Sequence, residues 1–230
     1  MTLRKASIVK LNTKVANSFV SRYEHLGNVG LGVWHWGLLL DGVLVSVLSF
    51  GMPCFAVSRS FLGKVSRKCS ARVLQICRGA TPPWAPRNTP SRIICLALKA
   101  IAKNEGPALI VAYADPHFHE IGTIYQASNA IYTGMTNPKG QANYIVNGEF
   151  LSGWVVRRRY GTRCRTKLKM IDNKMTVLPL EKKLRYVLLA GSWKFRKEAR
   201  RLLQPYKQPY PKRLELGIPA MNIVEMMNIT

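Results

Sequence analysis

Short apolar runs, bounded by turn residues, alternate along the chain with longer stretches whose apolar positions recur every three to four residues. Ile8 to Ser21 reads as an early strand and a first helix, and Arg22 to Gly32 as a glycine-punctuated loop. Val33 to Leu40 and Val43 to Gly51 flank Asp41-Gly42. Asp-Gly suits a two-residue hairpin turn because both central positions take φ > 0. Met52 to Lys68 lacks a period and reads as an irregular surface loop, and Cys69 to Arg78 alternates enough to be a strand.

The stretch from Arg78 to Gly134 organises the rest. Pro82, Pro83, Pro86 and Pro90 keep a turn out of helix and sheet. Thr89 is placed as an N-cap with Pro90 at the first helical position, where a missing N–H costs nothing. Ile94, Ala97, Leu98 and Ile101 follow at helical spacing, and Gly106 ends the helix. Ala108 to Ala114 is a continuous apolar run, as in a strand covered on both faces. Ile121, Ile124, Tyr125, Ser128 and Tyr132 predict one face of a second helix closed by Gly134. Downstream, Ala142 to Val146 and Glu149 to Arg158 read as strands around an Asn147-Gly148 turn, with short strands at Thr162 to Lys169 and Lys183 to Leu189. Trp193 to Leu203 is a basic helix, Gln204 to Arg213 is proline-rich and extended, and Leu214 to Thr230 has no clear period. No internal repeat is present.

Composition narrows the partners. The 230 residues carry 35 Lys+Arg against 11 Asp+Glu, a net +24. Such an imbalance costs self-repulsion and points to a polyanion. Leu151 to Arg213 holds 19 basic and 3 acidic residues, whereas Arg78 to Gly134 holds 5 and 3. Anion binding is therefore expected downstream of a nearly neutral chemical centre, on Arg157, Arg158 and Arg159 and on Lys194, Arg196, Lys197, Arg200 and Arg201. The charge shift suggests a core over 1–150, late strands and a basic extension of the same domain over 151–213, and a tail over 214–230. Hydrophobic residues make up 47% of the chain, enough for a core. No run reaches the roughly 20 apolar residues of a membrane span, and the N-terminal segment has no apolar signal core. No membrane is expected, and cytosol is the expected compartment. Cys54, Cys69, Cys77, Cys95 and Cys164 are odd in number with no C-x-x-C pair, so reduced thiols are expected.

The candidate chemistry collects on the central stretch. A helix N-terminus just after a strand and turn offers free N–H groups to an anion. Asp115 ends the buried strand, where ligand chemistry sits in open α/β sheets, and Tyr125 follows ten residues later. Asp115 can act as general base, and Tyr125 can protonate a leaving group. Ser91 in the first helical turn can contact a donor carbonyl or phosphate, or simply cap its own helix. Arg78 and Arg87 can hold phosphate, with Asn88 and Thr89 in the anion-binding turn and Trp84 free to stack or to plug it. Tyr23, His25 and Tyr132 are candidates for the acceptor side. His117 and His119 with Asp115 could hold iron or zinc, although the spacing commits to no metal.

The element order resembles the fold of Gcn5-related N-acetyltransferases: an α/β (α+β) architecture with a mixed central sheet flanked by helices, here with a basic C-terminal extension. The resemblance implies a turn that holds the donor's phosphates and a tyrosine that protonates the leaving group. The glycine-rich donor signature R/Q-x-x-G-x-G/A of that family is replaced here by RGATPPWAPRNTPS. That segment and VAYADPHFHEIGTIYQASNAIYTG resemble the Mom family of phage DNA-modification proteins more closely. This second resemblance implies a transferase that converts adenine in double-stranded DNA to its carbamoylmethyl derivative, protecting phage DNA from restriction in the cytoplasm of a bacterial host. It places Arg78, Ser91, Asp115 and Tyr125 at positions that matter. A carbamoylmethyl group has the atoms of a glycine residue, which makes glycyl-tRNA the favoured donor, with acetyl-coenzyme A second and iron possible. The other readings are a non-catalytic nucleic-acid-binding protein on an acyltransferase scaffold, and an acetyl-coenzyme-A-dependent N-acetyltransferase.

Overall fold

The computed structural model describes residues 3–24, 27–54, 57, 60–137 and 142–216. In chain order its elements are β1 (Ser7–Leu11), α1 (Thr13–Tyr23), β2 (Trp34–Leu40), β3 (Val43–Gly51), α2 (Phe61–Lys68), β4 (Arg72–Ala80), α3 (Thr89–Asn104), β5 (Ala108–Ala114), α4 (Thr123–Ala127) and β6 (Ile131–Met135). They continue with β7 (Ala142–Val146), β8 (Glu149–Ser152), α5 (Gly153–Tyr160), α6 (Arg165–Ile171), β9 (Thr176–Pro179), β10 (Leu184–Ala190) and α7 (Trp193–Leu203). The chain divides into two compact units, 1–134 with 184–230, and 135–183.

The first unit is built on a seven-stranded sheet ordered β1-β2-β3-β4-β5-β10-β6. The β4–β5 pair is parallel, while β1–β2, β2–β3, β3–β4 and β5–β10 are antiparallel. The expected mixed sheet flanked by helices is therefore present. Ile110, Ala112 and Ala114 of β5 and Leu184, Tyr186 and Leu188 of β10 pack with Ile93, Ile94, Ala97 and Ile101 of α3 on one face. Leu109, Val111 and Val187 face the other way, against Leu62 and Val65 of α2 and Phe195, Ala199 and Leu203 of α7. On that second face α1 contributes Ala16 and Val20 against Val47 and Ala80. Each fully buried Leu, Ile or Val here stabilises by about 1.5–3 kcal/mol relative to exposure. A strand covered on both faces explains why β5 reads as an unbroken apolar run.

The second unit has its own sheet, β8-β7-β9, and its own core of Tyr144, Val146, Leu151, Val156, Leu168 and Met175. It enters the chain between β6 and β10, which are neighbours in the large sheet. The charge shift at Leu151 thus falls inside a unit and marks no boundary between units.

Several local expectations are corrected. The helix expected from Ile121 to Tyr132 is cut to α4, Thr123–Ala127. Asn129 turns the chain at φ 56°, and Ile131 to Met135 continues as a strand. The β-branched and aromatic residues Ile131, Tyr132 and Thr133, buried on alternating sides, suit a sheet better than a helix. Glu149 to Arg158 is a strand only as far as Ser152, whose hydroxyl accepts from Val155 N–H at 3.4 Å and starts α5. Gly161, at φ +70°, ends that helix. Thr162 to Lys169 forms most of α6, with Leu168 buried, instead of a strand. Met52 to Lys68 is not all irregular, because Ser60 caps α2 by accepting from Leu62 N–H at 3.2 Å. The proline-rich Gln204 to Arg213 begins with a short 3-10 turn and is then pinned along β6. There Gln208 N–H donates to Tyr132 O at 2.9 Å, and Tyr210 Oη donates to Ala130 O at 2.5 Å.

Candidate active site

The parallel ladder between β4 and β5 runs from Arg72↔Ala108 to Gln75↔Val111 and then stops. β4 continues for five more residues and β5 for three, each still paired on its outer side. The two strands therefore part at their C-terminal ends, and the gap opens where ligands bind in open α/β sheets. A cavity of about 160 Å³ lies on the β3 side of it, lined among others by Leu48, Gly79, Thr81, Pro90, Ile94 and Ile124; neither Asp115 nor Tyr125 lines it. Ser46 Oγ braces its rim, donating to Ala80 O at 2.9 Å and lying 2.7 Å from Thr81 Oγ1.

Asp115 leaves β5 half-buried, at the end of the parted strand. Its N–H donates to Glu120 Oε2 at 3.1 Å, and its carbonyl accepts from Phe118 N–H at 3.1 Å and Glu120 N–H at 3.2 Å. The loop thus folds Glu120 back onto Asp115. Tyr125, on α4, packs against Tyr186 of β10 with ring centroids 5.5 Å apart. Burial first, then the Glu120 carboxylate and the Tyr186 ring, raise the Tyr125 phenol well above its usual range. A phenol is protonated at neutral pH with or without this shift, which makes it a weaker acid. Gly122, at φ +71°, makes the approach feasible: a Cβ there would stand 2.5 Å from Tyr186 Cε2. Tyr186 Oη donates to Ile121 O at 2.5 Å and accepts from Gln126 Nε2 at 3.2 Å, fixing the loop between Asp115 and Tyr125. Glu120 escaped the reading of the sequence; the only signal was a carboxylate midway between the two candidates.

The donor-side candidates take mixed places. Asn88, not Thr89, is the N-cap of α3, in the left-handed region at φ 68° and with no side-chain capping bond. Thr89 is buried, and its hydroxyl donates to Pro86 O at 2.5 Å, so it braces the turn from within. Ser91 Oγ donates to Asn88 O at 3.0 Å, a local bond within the turn. Arg87 is exposed, and Trp84 is 57% exposed and fills no core position. Arg78 is half-buried on β4; its Nη1 donates to Cys77 O at 2.7 Å and its Nε stands 3.9 Å from Glu24 Oε2.

On the acceptor side, Tyr23 ends α1 with its ring 4.9 Å from Phe19. Tyr132, an acceptor-side candidate, is 6% exposed on β6 and packs at 5.2 Å on Tyr186, as a core aromatic does. His25 lies outside the described residues. His119 is exposed at φ 57°, and the side chain of His117 is not among those described. Among the described residues no three His, Cys, Asp or Glu side chains cluster as a metal site would require. The five cysteines are all free thiols.

The basic candidates are exposed, but not all are equally available. Arg157, Arg158 and Arg159 lie on α5, where Arg159 is held by both oxygens of Glu149. On α7, Arg201 is held by Glu198 at 2.7 and 3.0 Å, and Lys197 lies 5.2 Å above the Trp193 ring. Arg196 and Arg200 line a cavity of about 200 Å³ with Lys99 of α3. Arg201 shares a groove of about 570 Å³ with Lys64, Arg67 and Lys68 of α2. Those three lysine and arginine residues were not singled out from the sequence because α2 itself was not.

Comparison with known proteins decides the family. The model of the Mom protein family matches residues 5–212. The chain belongs to the Mom protein family. No curated protein sequence matches it. Among solved structures it is similar to a polyamine N-acetyltransferase of Drosophila melanogaster, 10% identical with a TM-score of 0.43, covering 80% of this chain and 99% of that one. It is also similar to the ribosomal-protein-S18-alanine N-acetyltransferase of Escherichia coli, 7% identical with a TM-score of 0.42, covering 81% and 95%. A spermidine N-acetyltransferase of Vibrio cholerae is 7% identical with a TM-score of 0.42, covering 87% and 97%. Within this Mom-family chain no described helix is long and apolar enough to cross a membrane.

Proposed function

We propose that this Mom-family chain is a transferase that modifies adenine in double-stranded DNA with a glycine-derived group, yielding the carbamoylmethyl derivative that shields phage DNA from restriction. The reading is carried by one observation: the loop between Asp115 and Tyr125 folds back at the end of the parted strands, with Glu120 accepting from Asp115 N–H at 3.1 Å and lying near the Tyr125 phenol.

The target adenine leaves the duplex stack, because its amine is otherwise paired inside. The amine attacks the carbonyl carbon of an activated glycine, forming a carbon–nitrogen bond and breaking the ester carbon–oxygen bond. Asp115 takes the amine proton, and Tyr125 gives its proton to the departing oxygen. At the start of α3, Thr89 N–H is bonded to Pro86 O at 3.1 Å, Arg92 N–H is bonded to Asn88 O at 3.0 Å and Pro90 has no N–H, so Ser91 N–H is the donor this turn offers the oxyanion. A glycyl group and a carbamoylmethyl group are isomers, so a rearrangement that breaks the adenine-nitrogen–carbonyl and methylene–amine bonds and forms the adenine-nitrogen–methylene and carbonyl–amine bonds completes the product without another nitrogen source. Glycyl-tRNA is the donor this favours.

The cationic surfaces support a nucleic-acid partner. The groove between α2 and α7 presents Lys64, Arg67, Lys68 and Arg201 over a floor of Val65, Leu202 and Pro205. The second unit carries 11 basic and 3 acidic residues between Met135 and Lys183. Contacts of this kind hold phosphates and position the duplex without reading its sequence.

Purified protein, glycyl-tRNA labelled in the glycine and plasmid DNA test the proposal. Label in adenine is the expected result. Modified adenine only when labelled acetyl-coenzyme A replaces the tRNA would overturn the donor. A chain that binds DNA equally well as wild type and as Asp115→Ala, with no modification from either, would be the non-catalytic binder.

A further inference from the structure

Four buried side-chain nitrogens lack a hydrogen-bond partner among the described residues, and two of them, His35 Nε2 and Arg78 Nε, belong to one row of the sheet. The strand registers put His35 of β2 opposite Ser49 of β3, and Ser49 opposite Arg78 of β4. Trp34, Trp36, Leu48 and Phe50 point to the α3 core, so His35 and Ser49 point to the α1 face. Arg78 joins them through a bulge. The register passes from Ser49↔Arg78 to Phe50↔Ile76, leaving Cys77 as the extra residue. Ile76 faces the α3 core and Ala80 the α1 core, so the bulge turns Arg78 from the first face to the second. The row ends at β4, the near side of the gap between β4 and β5.

The row is covered by the loop from Gly27 to Val33, which is cut to lie flat on it. A Cβ on Gly32 would stand 2.9 Å from Ser49 Cβ and 3.2 Å from His35 Cε1. One on Gly30 would meet the Arg78 guanidinium at 3.5 Å. His35 is 1% exposed, and burial holds its imidazole pKa below the usual histidine range, so the ring is neutral. Its Nδ1 lies 2.9 Å from Ser49 Oγ. A buried N–H without an acceptor is costlier and rarer than a buried lone pair. The tautomer that follows carries the proton on Nδ1, donated to Ser49, and leaves Nε2 as an acceptor.

The row thus offers, on one face of the sheet, the His35 Nε2 acceptor, which has no hydrogen-bond partner among the described residues, and, on the far side of Ser49, the Arg78 guanidinium, whose Nε has only the Glu24 carboxylate at 3.9 Å, and buried polar atoms left without hydrogen bonds call for them. We propose that it is the recognition site for the acceptor base: His35 Nε2 accepts from the exocyclic amine, and Arg78 donates to the adjoining ring nitrogen, once the glycine loop lifts. This names the residues that choose adenine and rests on the adenine reading above.

Nucleosides test it without phosphate contacts. Binding of deoxyadenosine and of purine deoxyriboside, which lacks the amine, is measured by NMR titration of the whole chain. Deoxyadenosine should bind wild type about 5- to 150-fold tighter. The double variant His35→Phe with Ser49→Ala removes both polar partners together and should bring the ratio to about one while keeping the melting temperature. Arg78→Gln leaves the buried pair intact, so it tests the row even if the double variant fails to fold. It should weaken both nucleosides by a similar factor and preserve the ratio. Equal binding of the two nucleosides to wild type, an unchanged ratio in the folded double variant, or unchanged affinities in Arg78→Gln would overturn the proposal. A chain that modifies DNA yet fails this test loses only the row. A chain that discriminates the nucleosides and modifies nothing loses only the reaction.

Discussion

Replacing Tyr125 by phenylalanine removes one oxygen and one transferable proton while keeping the ring that packs 5.5 Å from Tyr186. The phenol, raised by burial, by Glu120 and by Tyr186, is protonated throughout the neutral range. General acid assistance of this type supplies about 10²–10⁴ in rate. At 1.36 kcal/mol per decade the loss corresponds to roughly 3–5 kcal/mol of transition-state stabilisation. The fold should barely notice, since one hydroxyl contributes about 1 kcal/mol, or about 2–4 °C in melting temperature for a chain of this size. Single-turnover transfer of labelled glycine to plasmid adenine measures the rate, and a thermal melt measures the fold. Transfer within a few-fold of wild type in a stably folded Tyr125→Phe chain would refute the assignment. A melting temperature that fell by more than 10 °C would refute the claim that the hydroxyl is dispensable for structure.

Three other outcomes follow from particular contacts. Gly122→Ala forces an unfavourable φ and a contact with Tyr186, and should destabilise by about 2–5 kcal/mol, read as a lowered denaturant midpoint. Tyr113, Tyr125, Tyr132, Tyr186 and Tyr210 all have phenols raised by burial. The unfolded chain therefore ionises first as pH passes about 10. It then binds fewer protons than the folded chain, so stability is complete below that pH and falls above it, with phenolate absorbance appearing together with unfolding. Charge reversal at Lys64 and Arg67 in the groove between α2 and α7 should weaken duplex binding and flatten the slope of log affinity against log salt by about 0.9 per lost phosphate contact. An unchanged slope would remove the groove from the interface.

The large sheet was readable because its signals are local and redundant. Asp41-Gly42 between two apolar runs predicts the β2–β3 hairpin, and the seven apolar residues of β5 can only be a strand buried on both faces. The basic helix α7 was readable over its full length because Ser192 caps it and Phe195, Ala199 and Leu203 repeat at four-residue spacing. Tertiary burial overrode the pattern elsewhere. Ile121 to Tyr132 keeps a helical apolar spacing, yet Ile131 to Met135 is drawn into the sheet beside β10. The second unit was read as strands because its helices carry long basic side chains outward and bury little: Leu168 is the one buried residue of α6. Asp115 and Tyr125 were visible as residue types at the ends of elements. Glu120 between them was not, because the loop that folds it back has no periodic signature. The polar row of His35, Ser49 and Arg78 was hidden for another reason. Its alignment depends on a bulge at Cys77, and a bulge is a property of two paired strands, not of either sequence alone.

The central claim is chemical, and mass spectrometry of DNA nucleosides tests it most directly. DNA is taken from bacteria expressing the wild-type chain and from bacteria expressing a folded Asp115→Ala variant. The account predicts adenine heavier by one glycyl unit in the first and ordinary adenine in the second. Unmodified adenine in both, from a chain shown to be folded and abundant, would contradict it.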